Sequence, residues 1–285
     1  MALEKYQKLR ELLRSYGSCI VAYSGGVDSV FLAYVAHDVL TDKALAVIAD
    51  SASLPRLELE DALALGRQFQ FPVRVIQTQE FENPQYLANP NNRCYFCKHE
   101  LFTQLAPLAK AEGFAVIAYG ENASDVGDYR PGAQAAAEFE VRAPLKEAGL
   151  MKAEIRELSA QLGLPTADKP QMACLSSRVP YGEAVTPEKL KMIEQAERVL
   201  RDLGFYDVRV RHHELGTGTR LQLARIEVGP QELHKFLENG ISSTVADALK
   251  KLGYYHVTVD LQGYRRGSGN ELFKAPVAKT SSGQL

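Results

Sequence analysis

The sequence has no long apolar stretch, few cysteines and almost no excess of one charge. No apolar run reaches the roughly 18 residues that a transmembrane helix needs, so we expect no membrane span. A net charge of −2 does not indicate a nucleic-acid partner. The N-terminus is charged throughout and has the apolar spacing of an amphipathic helix, not of a signal peptide. We therefore expect a cytoplasmic protein with reduced thiols.

The chain is nevertheless long enough and apolar enough to fold. Its 285 residues, 46% of them hydrophobic, predict one large or two modest globular domains. Short apolar runs alternate with stretches of helical spacing over the first 120 residues. This alternation predicts an α/β fold, with a parallel sheet and helices on both of its faces. The expected strands are 18–24, 44–50, 72–78 and 115–120, and the expected helices are 28–39, 56–69 and 97–111.

A change of pattern near residue 185 predicts a second domain. The segments 200–211 and 249–260 resemble each other, since each has a helix end, a glycine, an aromatic pair and an alternating strand. A small α+β domain with an internal duplication would produce this pattern. We assign residues 1–183 to the first domain, 184–275 to the second, and 276–285 to a disordered tail.

The segment SGGVDS at 24–29 lies between an expected strand and an expected helix. Gly25 and Gly26 allow the backbone to turn sharply and to approach a ligand. The N–H groups of this loop and the hydroxyls of Ser24 and Ser29 could then bind a pyrophosphate. Asp28 would repel a phosphate, so we expect it to bind Mg²⁺. The loop lacks the lysine of a Walker motif, and an ordinary glycine-rich turn remains the alternative.

Polar residues follow other strands as well. The segment GENASDVGDYRPG begins at Gly120 and falls at the carboxyl end of the fourth strand, where parallel sheets bind ligands. Arg209 and Arg211 share one face of a later strand, and paired arginines suit a phosphate. A polar turn and a solvated strand face are the respective alternatives.

Cys94 and Cys97 form a C-x-x-C pair, which is half of a metal site or a redox dithiol. Cys174, in the segment MACLSSRVPYG, is a candidate third ligand. A zinc site of these three thiolates with His99 is one alternative, although His99 follows Cys97 by only two residues, which is an awkward spacing. Cys19 lies within the first apolar strand, where we expect it to pack as a small hydrophobic residue.

The loop SGGVDS resembles the PP-loop of the ATP pyrophosphatases. That resemblance implies cleavage of ATP between the α and β phosphates, with Mg²⁺, and transfer of AMP to a carboxyl or carbonyl oxygen before a nucleophile displaces it. It further implies that Ser24, Gly25, Gly26 and Ser29 hold the ATP phosphates. Asp50 or Ser51, after the second strand, would contact the nucleoside.

Six segments together resemble a narrower family, the sulfur transferases of nickel-pincer cofactor synthesis. They are SGGVDS, RCYFCKHELF, DYRPG, ACLSSRVPYG, VRVR and DLQGYRRG, and the resemblance covers about residues 5–275. It implies a hexamer that adenylates pyridinium-3,5-biscarboxylic acid mononucleotide and forms thiocarboxylates for the cofactor of lactate racemase. It places the loop of Gly120, Asp125, Asp128 and Arg130 beside the reacting centre. The residues implied for the substrate phosphate are Ser177, Arg178, Arg209, Arg211 and Arg265.

The family has two sulfur sources, and the cysteines of this chain bear on the choice. One kind gives up the sulfur of a single cysteine at the position of Cys174. The other holds a [4Fe–4S] cluster on three cysteines, and the fourth iron carries an extra sulfide; Cys94, Cys97 and Cys174 match this kind. A tRNA-thiolating enzyme, an ammonia-using synthetase and a redox-sensing protein are the rival functions. We expect no nucleic acid or membrane partner, and the sequence does not identify the sulfide source.

Overall fold

The computed structural model describes residues 2–125, 131–170, 173–216 and 221–265. These residues form two compact units. The first unit contains residues up to 176 together with 181–190, and the second contains 177–180 and the residues from 191 onward. The predicted boundary, after residue 183, lies in the stretch where the chain passes between the units. The predicted tail at 276–285 lies outside the described residues.

The first unit is built on a parallel sheet of four strands in the order β3-β2-β1-β4. The central strands are almost fully buried, and their continuous apolar sequences are typical of a sheet that is covered on both faces. The predicted parallel sheet is confirmed. Its strands are β1 (Cys19–Tyr23), β2 (Ala44–Asp50), β3 (Val73–Gln77) and β4 (Val116–Tyr119).

Helices cover both faces of this sheet, as predicted. One apolar cluster packs α1, α2, α3 and α8 against the sheet, and a second cluster packs α5 and α6 against the other face. No helix among the described residues is long and apolar enough to cross a membrane. The helices are α1 (Ala2–Tyr16), α2 (Val27–Leu40), α3 (Arg56–Gln68), α4 (Pro84–Leu87), α5 (Arg93–Glu112), α6 (Pro131–Glu138), α7 (Pro144–Glu147) and α8 (Lys152–Gln161).

Helix α5 begins four residues earlier than predicted, so that prediction was wrong for residues 93–96. The structure therefore places the C-x-x-C pair in the first turn of a helix and not in a loop. Backbone N–H groups of Arg93 and Tyr95 donate to the carbonyls of Pro90 and Asn92, and these bonds start the helix. The error arose because the segment RCYFC lacks the apolar spacing on which the sequence prediction relied.

The second unit has a three-stranded sheet in the order β5-β6-β7, with β5 antiparallel and β7 parallel to β6. Both predicted helix–glycine–strand segments occur in it. Gly204 and Gly253, with φ of 85° and 111°, end the two helices in a conformation that favours glycine. The elements are α9 (Pro187–Asp202), whose first turn belongs to the first unit, β5 (Val208–Leu215), β6 (Leu221–Val228), α10 (Ile241–Lys251) and β7 (His256–Val259).

Candidate active site

Three of the predicted site segments lie at one edge of the first sheet. Segments 24–29 and 120–125 directly follow β1 and β4, and segment 50–53 begins at the last residue of β2. These three strands are neighbours in the parallel sheet. Because the strands are parallel, their carboxyl ends share an edge, where open α/β sheets bind ligands.

The loop at 24–29 has the geometry of an anion-binding turn. Gly25 has φ of 70°, and a Cβ atom there would lie 2.9 Å from the Cβ of Ala62. Gly26 is the N-cap of α2, and no side chain caps the helix. The first N–H groups of α2 are therefore left for a ligand at the positive end of the helix. Gly120 packs against this turn, since a Cβ there would lie 3.0 Å from the backbone nitrogen of Ser29.

The two loop serines bind each other and the turn. The Ser24 and Ser29 hydroxyl oxygens are 3.1 Å apart, and the Ser29 hydroxyl donates to the carbonyl of Gly26 at 3.0 Å. The Ser24 backbone N–H donates to the Ser29 hydroxyl at 3.2 Å. These bonds fix the loop before a ligand arrives, while Ser24 remains exposed.

Asp28 lies in the first turn of α2 and carries one satisfied and one unsatisfied oxygen. Its Oδ2 accepts from the Lys152 ammonium at 2.7 Å, whereas Oδ1 is buried without a hydrogen-bond partner among the described residues. Burial raises the pKa of Asp28, and nearby Asp125 acts in the same direction, while Lys152 and Asn122 oppose them. An unsatisfied carboxylate oxygen beside an anion-binding turn could serve as a ligand of Mg²⁺.

Two lysines from distant parts of the chain reach the loop, and sequence reasoning missed both. Lys152, the first residue of α8, binds Asp28. Lys169 binds the Glu58 carboxylate at 2.7 Å and the Gly25 carbonyl at 3.4 Å. No local signal distinguishes either lysine in the sequence. The loop lacks a Walker lysine of its own, but the fold brings two ammonium groups to it.

The residues predicted to contact the nucleoside lie where expected and are partly engaged. The Asp50 Oδ1 pairs with Arg56 at 2.6 Å, and its Oδ2 accepts from the Gln77 amide at 3.1 Å. The Ser51 hydroxyl accepts from the Ser53 backbone N–H at 3.2 Å. These contacts hold the segment after β2 in place.

The three cysteines of the proposed sulfur site lie in one neighbourhood of the first unit. Cys94 and Cys97 lie in the first turn of α5, and Cys174 directly precedes the short helix Leu175–Arg178. Burial raises the pKa of Cys97, and Cys174 and Cys94 raise it further. Cys94 is exposed at the surface, yet the protein around its sulfur raises its pKa, and Cys174 adds to this.

A buried polar network lies beside these thiols. The hydroxyls of Ser53, Tyr86 and Ser176 form a closed ring with oxygen separations of 2.6, 2.8 and 3.1 Å. The Arg93 guanidinium donates to the Ser176 carbonyl at 2.9 Å and to the Asn89 side-chain oxygen. The network therefore ties the segment that follows the third cysteine to the start of α5.

The buried carboxylate of Glu80 is another group near the thiols that sequence reasoning missed. Its side chain is almost fully buried, and Oε2 has no hydrogen-bond partner among the described residues. The Glu80 carboxylate is one of the charges that raise the pKa of Cys97. It lies 17 positions before that cysteine, in a segment of polar sequence that carries no site signal.

The zinc alternative would use the His99 ring as a ligand beside the three thiols. Within the described ranges, no three His, Cys, Asp or Glu side chains lie close enough to hold one ion. The His99 ring packs against Tyr95 and Phe139, with ring centres 5.7 and 5.1 Å apart. The alternative of a zinc site therefore has no support among these residues. Cys19 is fully buried in the core, and burial raises its pKa to about 12, which agrees with the expected packing role.

In the second unit, the arginines predicted to bind a phosphate are already held by acidic groups and carbonyls. Arg178 is fully buried and donates from Nε to Glu197 at 2.8 Å. Arg211 binds Glu227 and the Ser177 carbonyl, each at 2.8 Å. These contacts orient the guanidinium groups and leave the predicted phosphate role untested.

Arg209 lies two residues before Arg211 on β5 and shares its face. It is buried over the ring of Tyr264, at 4.7 Å from the ring centre, and pairs with Asp207 at 3.4 Å. Burial lowers the pKa of Arg209, and the nearby charge of Arg178 lowers it further. The Glu197 carboxylate, which binds Arg178, opposes both effects. Arg265 is exposed.

Two predicted site residues lie outside the described residues. They are Asp128 and Arg130, in the loop that follows β4. Asp125, from the same loop, is buried, and its Oδ2 accepts from the backbone N–H of Asn122 at 3.1 Å.

Comparison with known proteins indicates the family to which this chain belongs. The model of the NAD synthase family matches residues 4–88, which include the loop after β1. An uncharacterised protein of Synechocystis is 44% identical over 95% of this chain and 99% of its own length. The pyridinium-3,5-bisthiocarboxylic acid mononucleotide synthase of Lactiplantibacillus plantarum is 34% identical over 90% of this chain and 91% of its own. The glutamine-hydrolysing GMP synthase of Phenylobacterium zucineum is 29% identical over 67% of this chain and 41% of its own.

The parallel sheet, the uncapped helix after SGGVDS and the NAD synthase match define an ATP pyrophosphatase of the PP-loop class. Enzymes of this class use ATP to activate a carboxyl or carbonyl oxygen, and a nucleophile then attacks the carbon that bears this oxygen. The 34% identity to the Lactiplantibacillus plantarum synthase, over nine-tenths of both chains, defines the family more narrowly than the fold and the loop do. The chain belongs to the family of the pyridinium-3,5-bisthiocarboxylic acid mononucleotide synthase, and it is an ATP-dependent, sulfur-transferring enzyme.

Proposed function

We propose that this enzyme adenylates the carboxylates of pyridinium-3,5-biscarboxylic acid mononucleotide and converts them to thiocarboxylates. The product would serve the nickel-pincer cofactor of lactate racemase. The observation that carries the proposal is that one unit contains both an anion-binding loop and three neighbouring thiols. An ammonia-using synthetase would need the loop but not the thiols.

The loop residues act on ATP. The N–H groups of Gly25 and Gly26 and the hydroxyls of Ser24 and Ser29 hold the phosphates. Asp28, whose Oδ1 has no hydrogen-bond partner among the described residues, would hold Mg²⁺. The charge that develops on the leaving pyrophosphate is stabilised by these donors together with Mg²⁺.

The remaining predicted residues orient the two substrates. Asp50 or Ser51 contacts the nucleoside of ATP, because the segment after β2 lies at the same sheet edge as the loop. The loop of Gly120, Asp125, Asp128 and Arg130 lies beside the reacting carboxylate. The substrate phosphate is held by Ser177, Arg178, Arg209, Arg211 and Arg265.

Adenylation is needed because a carboxylate oxygen is a poor leaving group. In the first step, the carboxylate oxygen bonds to the α phosphorus and pyrophosphate leaves. A sulfur nucleophile then bonds to the carboxyl carbon, and the bond from that carbon to the adenylate oxygen breaks. AMP departs with this oxygen and its electron pair, and the thiocarboxylate remains.

The sulfur source is proposed to be a [4Fe–4S] cluster held by Cys94, Cys97 and Cys174. Three thiols in one neighbourhood of the first unit are the ligand set that such a cluster would need, and this supports the proposal. When bound, a cluster with three protein ligands leaves one iron open to carry a sulfide. The sulfide could be replaced after each turnover, so the enzyme would act repeatedly.

Sacrifice of the Cys174 sulfur is the second candidate, because Cys174 is exposed. It would leave dehydroalanine and would limit each chain to one sulfur. The cluster and the sacrificial cysteine are distinguished by measuring iron and acid-labile sulfide on protein purified without oxygen. We expect about four irons per chain and their loss in Cys94→Ala. Absence of iron, with Cys174 lighter by one H₂S after turnover, would favour the sacrificial reaction.

The acceptor is tested by release of AMP and pyrophosphate. We expect both to require pyridinium-3,5-biscarboxylic acid mononucleotide and not to respond to tRNA. Release that requires tRNA, with salt-sensitive binding, would instead indicate a tRNA-thiolating enzyme. The hexameric assembly and the cytoplasmic location remain predictions that rest on the resemblance and on the N-terminal sequence.

A further inference from the structure

Arg93 is a buried cation whose partners are all neutral. Its residue is 3% exposed, and its guanidinium donates to the Ser176 carbonyl and the Asn89 side-chain oxygen. Its third contact is the ring of Tyr181, whose centre lies 5.7 Å away. Within ranges 2–125, 131–170, 173–216 and 221–265, it forms no ion pair with a carboxylate.

This arrangement contrasts with the two other buried guanidinium groups described above, because Arg178 and Arg209 each pair with a carboxylate. Arg178 is fully buried and binds the carboxylate of Glu197 through two nitrogens, at 2.8 and 3.2 Å. Buried charges are ordinarily paired, because the lost hydration is otherwise not replaced. Two neutral oxygens and an aromatic ring replace only part of the hydration of Arg93.

The ionisable groups around Arg93 are the thiols of Cys174 and Cys94 and the phenols of Tyr86 and Tyr181. Burial lowers the pKa of Arg93, but Cys174 and Cys94 outweigh this effect and raise it. Cys94 is the next residue along α5, and Cys174 lies two residues before Ser176, whose carbonyl accepts from the guanidinium. The cation is therefore positioned to balance an anionic group at the thiols.

We propose that Arg93 is a positioning residue of the sulfur site, whose buried charge is balanced by the anionic sulfur group that Cys94, Cys97 and Cys174 hold. Through Ser176 it also fixes the segment of Cys174 relative to the start of α5. The inference rests on the proposed function, since that function places the sulfur donor at these cysteines.

The test compares Arg93→Lys, which keeps the charge, with Arg93→Met, which removes it. Arg156→Met is the matched control, because Arg156, like Arg93, donates to two neutral oxygens of the first unit, in its case the backbone carbonyls of Ala167 and Lys169. Each full chain is loaded with iron and sulfide without oxygen, and the reduction potential of the cluster is measured by a titration followed by electron paramagnetic resonance.

A positive charge favours the reduced, more negative cluster. We therefore expect a more negative potential in Arg93→Met, and values close to wild type in Arg93→Lys and Arg156→Met. The same potential in Arg93→Met as in wild type, at equal iron content, would overturn the inference. If Arg93→Met binds no iron, iron retention in Arg93→Lys supports a role for the charge. Loss of iron from both, with native circular dichroism, would contradict it.

Failure of the proposed cluster is distinguishable from failure of this inference. If wild type binds no iron, the cluster is refuted, and the rate of single-turnover sulfur loss from Cys174 becomes the measurement. A rate that is lower in Arg93→Met than in Arg93→Lys would still support the positioning role. Equal rates in the two variants would refute it.

Discussion

The buried carboxylate of Glu197 gives the sharpest stability prediction. It accepts from Arg178 at 2.8 and 3.2 Å, from Arg201 at 3.1 Å and from the backbone N–H of Val210 at 3.1 Å. Both Glu197 and Arg178 are 0% exposed. Glu197→Gln keeps the shape of the side chain but leaves the Arg178 charge buried and unbalanced.

Removing one partner of a buried ion pair costs about 3–5 kcal/mol, and we expect a loss of this size in the free energy of unfolding. Urea unfolding followed by circular dichroism measures it, and hydrogen exchange at the Val210 amide reports it locally. Asp202→Asn is the control on the same helix, because its pair with Arg198 is exposed and is expected to contribute less than about 1 kcal/mol. A Glu197→Gln loss no larger than that of Asp202→Asn would refute the reasoning.

The ion pair of Glu197 and Arg178 also predicts that the free energy of unfolding depends on pH. Burial raises the pKa of Glu197, but the charges of Arg178, Arg201 and Arg209 outweigh burial and hold it below its ordinary value of 4.5. The folded pKa is therefore lower than the unfolded one. The stability from this group is complete above the unfolded pKa and is lost as the pH falls through the folded pKa. In Glu197→Gln, the acid-induced loss of stability should be correspondingly smaller.

Three further changes separate the proposed roles. Asp28→Asn should abolish ATP-dependent AMP release while bound iron is retained; AMP release at the wild-type rate would remove the Mg²⁺ assignment. Lys152→Met should raise the KM for ATP about tenfold or more, since charged hydrogen bonds contribute about 1.5–3 kcal/mol, and Lys152→Arg should restore part of this. Arg211→Met should raise the KM for the mononucleotide by a similar factor without changing that for ATP; an equal rise in both would contradict a phosphate role.

The sheet and its loop could be predicted because their signals are local. Apolar runs of five to seven residues, such as Cys19–Tyr23 and Ala44–Asp50, each end in polar residues, and their alternation with helices defines a parallel sheet. Gly25 and Gly26 between a strand and a helix predict an anion-binding turn from backbone chemistry alone.

The partners of the site could not be predicted, because they are distant in sequence. Lys152 reaches Asp28 across 124 positions, and Lys169 reaches Gly25 across 144. The buried position of Arg93 depends on a carbonyl 83 positions away. Pairings of this kind follow from the tertiary fold, and no periodicity or motif of the surrounding sequence indicates them.

The most direct test of the proposed sulfur transfer counts sulfur atoms per chain. Anaerobic enzyme is incubated with ATP, Mg²⁺, sulfide and pyridinium-3,5-biscarboxylic acid mononucleotide, and mass spectrometry measures both the product and the intact chain. We predict thiocarboxylate in molar excess over the chain, one AMP per sulfur, and an unchanged chain mass. Product limited to one sulfur per chain, with a chain lighter by one H₂S at Cys174, would contradict transfer from a renewable donor. The absence of any thiocarboxylate would contradict the proposed reaction itself.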